Sequence, residues 1–322
     1  MRTLLRNASI ALSLFWIAQF AVGQEFPNRT IRLVVPTQTG GTASILAHIL
    51  ADSLSEKWGK PVIVDNRPGG GTIIGTEFVA RAPPDGHTLL LNAGPFVINP
   101  GLRPTMPYDT FKDFTPVTQL TSSPLLLVVS ASSTVKSLRE FLDDARAHPG
   151  KLSYATPGAG TTNHLIGEML KIAAEIDLIH VPYPGEGPAV TAVLGNHVSL
   201  LISQYAGVAG HVAAGKLRVL AVASPERVER LPDVPTLSES GFPDIQATVW
   251  FGIVAPAGTP SKTIARIQSD VASVLQLPNV RERLAGQELT PVGSTSEEFA
   301  AHMRAASARF EKIIRAAGIK AE

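Results

Sequence analysis

VVPTQTGGTASILAHIL, Val34 to Leu50, and YATPGAGTTNHLIGEML, Tyr154 to Leu170, read as one local structure written twice. Each passes from a strand through a proline and a run of small, polar or glycine residues into a helix. Ile45, Leu46, Ile49 and Leu50 in the first correspond to Leu165, Ile166, Met169 and Leu170 in the second, the spacing of one helical face. A helix that starts at the end of a strand presents unpaired N–H groups and a partial positive charge. Such a start holds an anion without a cationic side chain. Either loop alone is an ordinary short βα turn; the matched pair points to a small anion gripped from two sides. Thr42, Ser44, Thr161 and Thr162 add hydroxyls. His164 can donate to the anion, or cap and pack within its own helix.

Strands and helices alternate on both sides of this pair. Ile31–Val35, Pro61–Val64 and Thr88–Leu91 read as strands, with helices over 45–54 and 74–81 between them. That is the βαβαβ opening of a parallel sheet. A second unit follows Pro124, with strands at 125–129, 152–155, 178–181, 198–202 and 217–223. Its helices are read at 138–147, 161–174 and 188–194. After a loop-rich stretch from Pro225 to Pro243 come a strand at 249–254 and helices at 260–275, 280–284 and 296–316. Ser294 and Glu297 have capping-box spacing before the last helix. The expected organisation is one α/β lobe from 24–123 plus 226–322, with a second, 124–225, inserted into it. Crossings near 122–124 and 225 would leave a cleft between the lobes.

The bulk properties exclude several classes. The chain has 322 residues and no cysteine, so disulfides, thiolate nucleophiles and cysteine metal sites are out. Its formal charge of +1 offers no basic field for nucleic acid. Arg2 and Arg6 precede an apolar run, Ala8 to Val22, and Ala21-Val22-Gly23 fits a cleavage site. Residues 1–23 therefore read as a secretory signal peptide, too short to span a bilayer. Its removal takes two of the 28 basic residues and leaves 26 against 27 acidic ones, so the exported chain is near neutral. There is no P-loop, dinucleotide fingerprint, G-x-S-x-G elbow or H-E-x-x-H, and the eight histidines show no ligand spacing. No catalytic residue, cofactor or metal site is expected. Gly69–Gly71 read as a turn into a helix.

Longer motifs carry a resemblance. VIVDNRPGGGTIIGTEFVARAPPDGHTLL, MPYDTFKDFTPVTQL, HPGKLSYATPGAG, IHVPYPGEGPA, AAGKLRVLAVAS, RLPDVPTLSESGFP and VWFGIVAPAGTP occur in order along the whole mature chain. They are similar to the Bug family, the extracytoplasmic solute receptors of tripartite tricarboxylate transporters. The resemblance implies an α/β, type II periplasmic-binding-protein fold, two lobes closing like a flytrap on a small carboxylate. It implies a periplasmic, monomeric receptor that serves transporter membrane subunits or a membrane sensor. A secreted α/β enzyme is the remaining alternative. The family's ligand loops map onto Thr37, Gln38, Thr39, Gly40, Gly41 and Ser44, and onto Thr156, Gly158, Gly160, Thr161, Thr162 and His164. Asn92, Ala93, Tyr183, Ser203 and Gln204 match further cleft positions. The sequence departs from the family pattern at Thr37, usually aromatic, at Ser44, usually Asp, and at Ser203-Gln204, often Asp. Losing both acids implies a carboxylate ligand without an amino group.

Overall fold

The computed structural model describes residues 26–245 and 248–319. The segment read as an export signal lies outside them.

Apart from Arg32, the first strand is buried on both faces, so its side chains alternate between two apolar layers. On β1, Ile31–Val35, residues Ile31, Leu33 and Val35 enter one core and Val34 another. β1 runs parallel to both β2, Val62–Asn66, and β3, Thr88–Ala93, as the βαβαβ reading requires. The crossover helices are α1, Thr42–Trp58, and α2, Ile73–Ala80. Gly59, in the left-handed region at φ 60°, closes α1. Helix α3, Pro95–Leu102, follows β3 and was not expected, because it is short and contains Pro100.

β4 corrects the sequence reading most. A strand was expected at 125–129, and β4 runs from Phe114 to Ser130. Its first half is rich in Thr, Gln, Ser and Pro and gives no apolar signal. Thr118, Thr121 and Ser123 are nevertheless buried. Strand pairing buries them: Phe114–Pro124 lies against β9, Thr248–Pro256, with two register shifts. The second half pairs with β7, Leu200–Gln204, and β8, Leu217–Val222. β4 therefore belongs to two strand groups and carries the chain between them.

The second group holds α4, Leu138–Ala147; β5, Ser153–Thr156; α5, Thr162–Ala174; β6, Ile179–Pro182; and α6, Glu186–Leu194. Helix α6 begins two residues before the expected Pro188. Helix α7, Tyr205–Ala213, was also missed; it is Gly- and Ala-rich and has one buried residue, Val208. The whole sheet is curled and mixed, in the order β2-β1-β3-β9-β4-β7-β5-β6, with β8 and β10, Thr290–Pro291, on β4. The return segment stays on the second group for some distance: Val228 is in its core and Thr236 bridges Val222. Helices α8, Ser261–Leu275, α9, Pro278–Ala285, and α10, Ser296–Ala317, complete the first group. The capping box of α10 uses Thr295 and Glu298, one residue later than the sequence spacing suggested. Ser294 instead accepts the Gln119 N–H on β4. Among the described residues no helix is long and apolar enough to cross a membrane.

Candidate functional site

Between the two strand groups lies a cleft of about 750 Å³. Its lining joins Pro36–Ala43 and Leu91–Phe96 on one side to Pro157–Ala159, Thr161–Asn163, Pro184–Pro188 and Gln204 on the other. The N-cap residues of six helices meet there: Gly41 of α1, Thr72 of α2, Gly94 of α3, Thr161 of α5, Gly185 of α6 and Gln204 of α7. Of these, only Thr161 supplies a side-chain cap. The other starts present first-turn N–H groups that no N-cap side chain takes up. The sequence singled out two of the six: α3 and α7 are short, α2 follows a glycine turn, and α6 starts two residues before its Pro188 signal. That turn carries Gly69, Gly70 and Gly71 at φ 129°, 58° and 65°, and it lays backbone against the cleft. Asn99 holds it, donating to the Gly71 carbonyl at 2.8 Å.

No Lys, Arg, His or Asp lines the cleft; Glu186 is its one charged residue among those described. Positive potential there comes from helix ends. Several polar atoms of lining residues are buried with no protein partner: Thr37 Oγ1, both amide atoms of Asn92, and Gln204 Oε1. Buried groups of this kind are normally satisfied, so these three side chains stand out among the lining residues.

Eleven of the expected residues line this cleft: Thr37, Gln38, Thr39, Gly40, Gly41, Asn92, Ala93, Gly158, Thr161, Thr162 and Gln204. Six do not. Ser44 is buried and donates to Asn66 Oδ1 at 3.4 Å, while Asn66 Nδ2 donates to the Thr37 carbonyl at 3.0 Å. Together they brace the first loop from behind. Thr156 Oγ1 lies 2.7 Å from His180 Nε2 and 3.1 Å from the Gly158 carbonyl. The Gly160 N–H donates to His164 Nδ1 at 3.2 Å, so that N–H is taken up within the loop; the ring proton then sits on Nε2, and His164 does not line the cleft. The His164 ring stacks on His180 at 3.8 Å. Burial lowers both histidine pKa values, His180 to about 3, so the stacked pair is neutral. Tyr183 packs against the core of the second group. Ser203 is fully buried and donates to Glu186 Oε1 or to the Gln204 carbonyl.

Glu186 and Asn163 are the functional candidates that sequence reasoning missed. Asn163 ties α5 to β7 through the Ile202 carbonyl at 2.8 Å. Glu186 had a legible signal: VPYPGEGPAV repeats the strand, Pro, Gly, helix order of the two loops quoted first. The acid absent at Ser203-Gln204 is delivered to the same place from α6.

A family model for the tripartite tricarboxylate transporter family receptor matches residues 46–319. The chain belongs to this receptor family. It is 33% identical to protein BugT of Bordetella pertussis over 322 residues, 99% of both chains. Two solved structures share the fold over nearly their full length. R. palustris Rpa4515 with adipate has a TM-score of 0.86 at 33% identity, covering 92% of this chain and 99% of that one. MatC (Rpa3494) from Rhodopseudomonas palustris with bound malate has a TM-score of 0.80 at 31% identity, covering 90% and 100%. The receptor family and these neighbours are solute-binding proteins, which agrees with the α/β periplasmic-binding-protein fold expected from the motifs.

Proposed function

We propose that this receptor captures a small carboxylate outside the cytoplasm and presents it to the membrane subunits of a tripartite tricarboxylate transporter. The observation that carries the reading is the convergence of six helix starts on a cleft without a basic side chain. Carboxylate oxygens accept from first-turn N–H groups, from Thr37 and Asn92, and from ordered water. The two strand groups act as lobes on either side of β4, and closure over the ligand excludes solvent and supplies the signal a membrane partner reads. Adipate and malate in two relatives support this ligand class. Among the described residues the cleft lining has no Lys, His or Asp, and the one serine that meets its acid, Ser203 against Glu186, is fully buried, which favours binding over a secreted-enzyme role. Export by residues 1–23 and a monomeric state complete the reading.

A thermal-shift screen of the purified protein against mono-, di-, tri- and aromatic carboxylates and amino acids tests it. A ligand at about 100 times its Kd adds about 2.7 kcal/mol of stability, a readable rise in Tm. Stabilisation by carboxylates supports the proposal. Its absence across the panel, with no carboxylate released on denaturation, overturns it. Sensing instead of uptake uses the same cleft; deleting the gene and measuring uptake beside ligand-dependent induction separates the two.

A further inference from the structure

Glu186 stands in a cleft with no cation to balance it. The residue is partly buried at the rim, but its carboxyl turns inward at the start of α6. Oε1 meets the Ser203 hydroxyl, and the Gln204 N–H donates to the same carboxyl. Its methylene and Oε1 lie over Gly207, where a Cβ would stand 2.5 Å from Cγ and 2.6 Å from Oε1. Gly207, on α7, therefore gives the carboxyl its seat, which any larger residue would fill.

The local hydrogen bonding accommodates either protonation state. Ser203 has one proton and two acceptors, Glu186 Oε1 and the Gln204 carbonyl at 2.9 Å. With the hydroxyl on Glu186, the carboxylate is satisfied. With Glu186 protonated on its other oxygen, Oε1 still accepts from Ser203 and the acid proton is left to donate to a ligand. Burial pushes the Glu186 pKa up to about 7, against the lowering effect of Ser203 and Gln204. Titratable groups on the packed elements do not contribute. β4 and β7 carry none; Tyr154 on β5 donates to Glu168; Tyr205 and His211 lie on α7; and Tyr183 precedes the helix. None of them enters the causes of the Glu186 shift. The first strand group contributes no titratable residue to the cleft lining.

A second negative charge placed beside an ionised Glu186 would be repelled, and like charges favour protonation of one of them. We infer that Glu186 is a specificity-determining contact: as a carboxylic acid it donates a hydrogen bond to a second oxyanion of the ligand, so the receptor takes up a dicarboxylate together with one proton. The inference rests on the carboxylate-receptor reading and deepens it. It also fits a ligand without an ammonium group, which would hold Glu186 ionised instead.

Calorimetric titration of the purified protein with adipate and with malate, between pH 6 and 8.5, tests it. Each pH is run in two buffers of different ionisation enthalpy, so that protons bound on complex formation are counted. For the dicarboxylate that binds, affinity should fall as pH rises, approaching about tenfold per pH unit above the Glu186 pKa, with net proton uptake near neutrality. In Glu186→Gln the pH slope and the proton uptake should both vanish, whatever the absolute affinity. Should that variant not fold, proton uptake by the wild type still decides. A flat wild-type profile without proton uptake overturns the inference and leaves the receptor reading standing. So does affinity that rises with pH together with preference for an ammonium-bearing ligand. Failure of every carboxylate in the screen at every pH overturns both.

Discussion

Asn92 tests at the scale of one residue whether the proposed site is kept at the expense of stability. It is 2% exposed, at the end of β3, and neither amide atom has a protein partner. A buried unsatisfied polar group costs about 1–3 kcal/mol. Asn92→Ala should therefore leave the Tm of the free protein unchanged or raised, apart from a small packing loss. Its affinity for the carboxylate should fall about ten- to a hundredfold, equivalent to about 1.4–2.7 kcal/mol. Chemical denaturation and calorimetry on the same sample check both halves; a variant with lower Tm and normal affinity would make Asn92 structural. Ser44 is the contrasting case. The sequence put it among the ligand contacts by its place in the loop, but only the fold turns its hydroxyl toward Asn66 and away from the cleft.

Among the elements, α5 packs where the two strand groups meet. Leu165 on α5 shares a core with Phe96, Trp250 and Phe299 of the first group. Gly94, before α3, has ordinary helical angles of φ −41° and ψ −47°, so its backbone accepts alanine. Space does not, because an added Cβ would strike Thr162 Oγ1 on α5. Gly94→Ala should hold the groups apart and weaken ligand binding at least about tenfold with little change in the free protein. Thr162→Ala in the same chain should recover part of that loss, and the interaction energy of the double-mutant cycle measures the contact. Additive losses would show that the approach of α3 to α5 does not control binding. The long α1, α8 and α10 were readable from their apolar faces and end residues. α3 and α7 were not, since eight or nine residues with Pro, Gly and Ala give no amphipathic stripe.

For the whole molecule, the curled sheet places every strand-end loop of the site on one cleft, with β4 continuous through it. If loops from both groups hold the same ligand, as proposed, binding and closure are one event. A saturating carboxylate should reduce the radius of gyration in small-angle scattering and slow amide exchange at Thr42–Ser44 and at Gly158–Thr162 together. Protection of one loop alone, with unchanged size, would describe a ligand seated on a single open lobe.

The amino-acid sequence by itself determined the α/β class, the parallel opening of the sheet, two of the helix starts that line the cleft, and the family. These follow from local patterns: apolar period, Pro and Gly at strand ends, and ordered motifs. Tertiary structure decided which polar side chains face the cleft, that four more helix starts join the first two, and that Glu186 occupies the place where Ser203-Gln204 lacks an acid. It also decided the length of β4, whose polar half is buried by pairing with β9. The direction of a side chain, and the satisfaction of its hydrogen bonds, depend on segments 17 to 176 residues apart in the chain, as Ser203 with Glu186 and Thr118 with Ser294 show. Local propensity carries no term for such contacts, which form only when the whole sheet has closed.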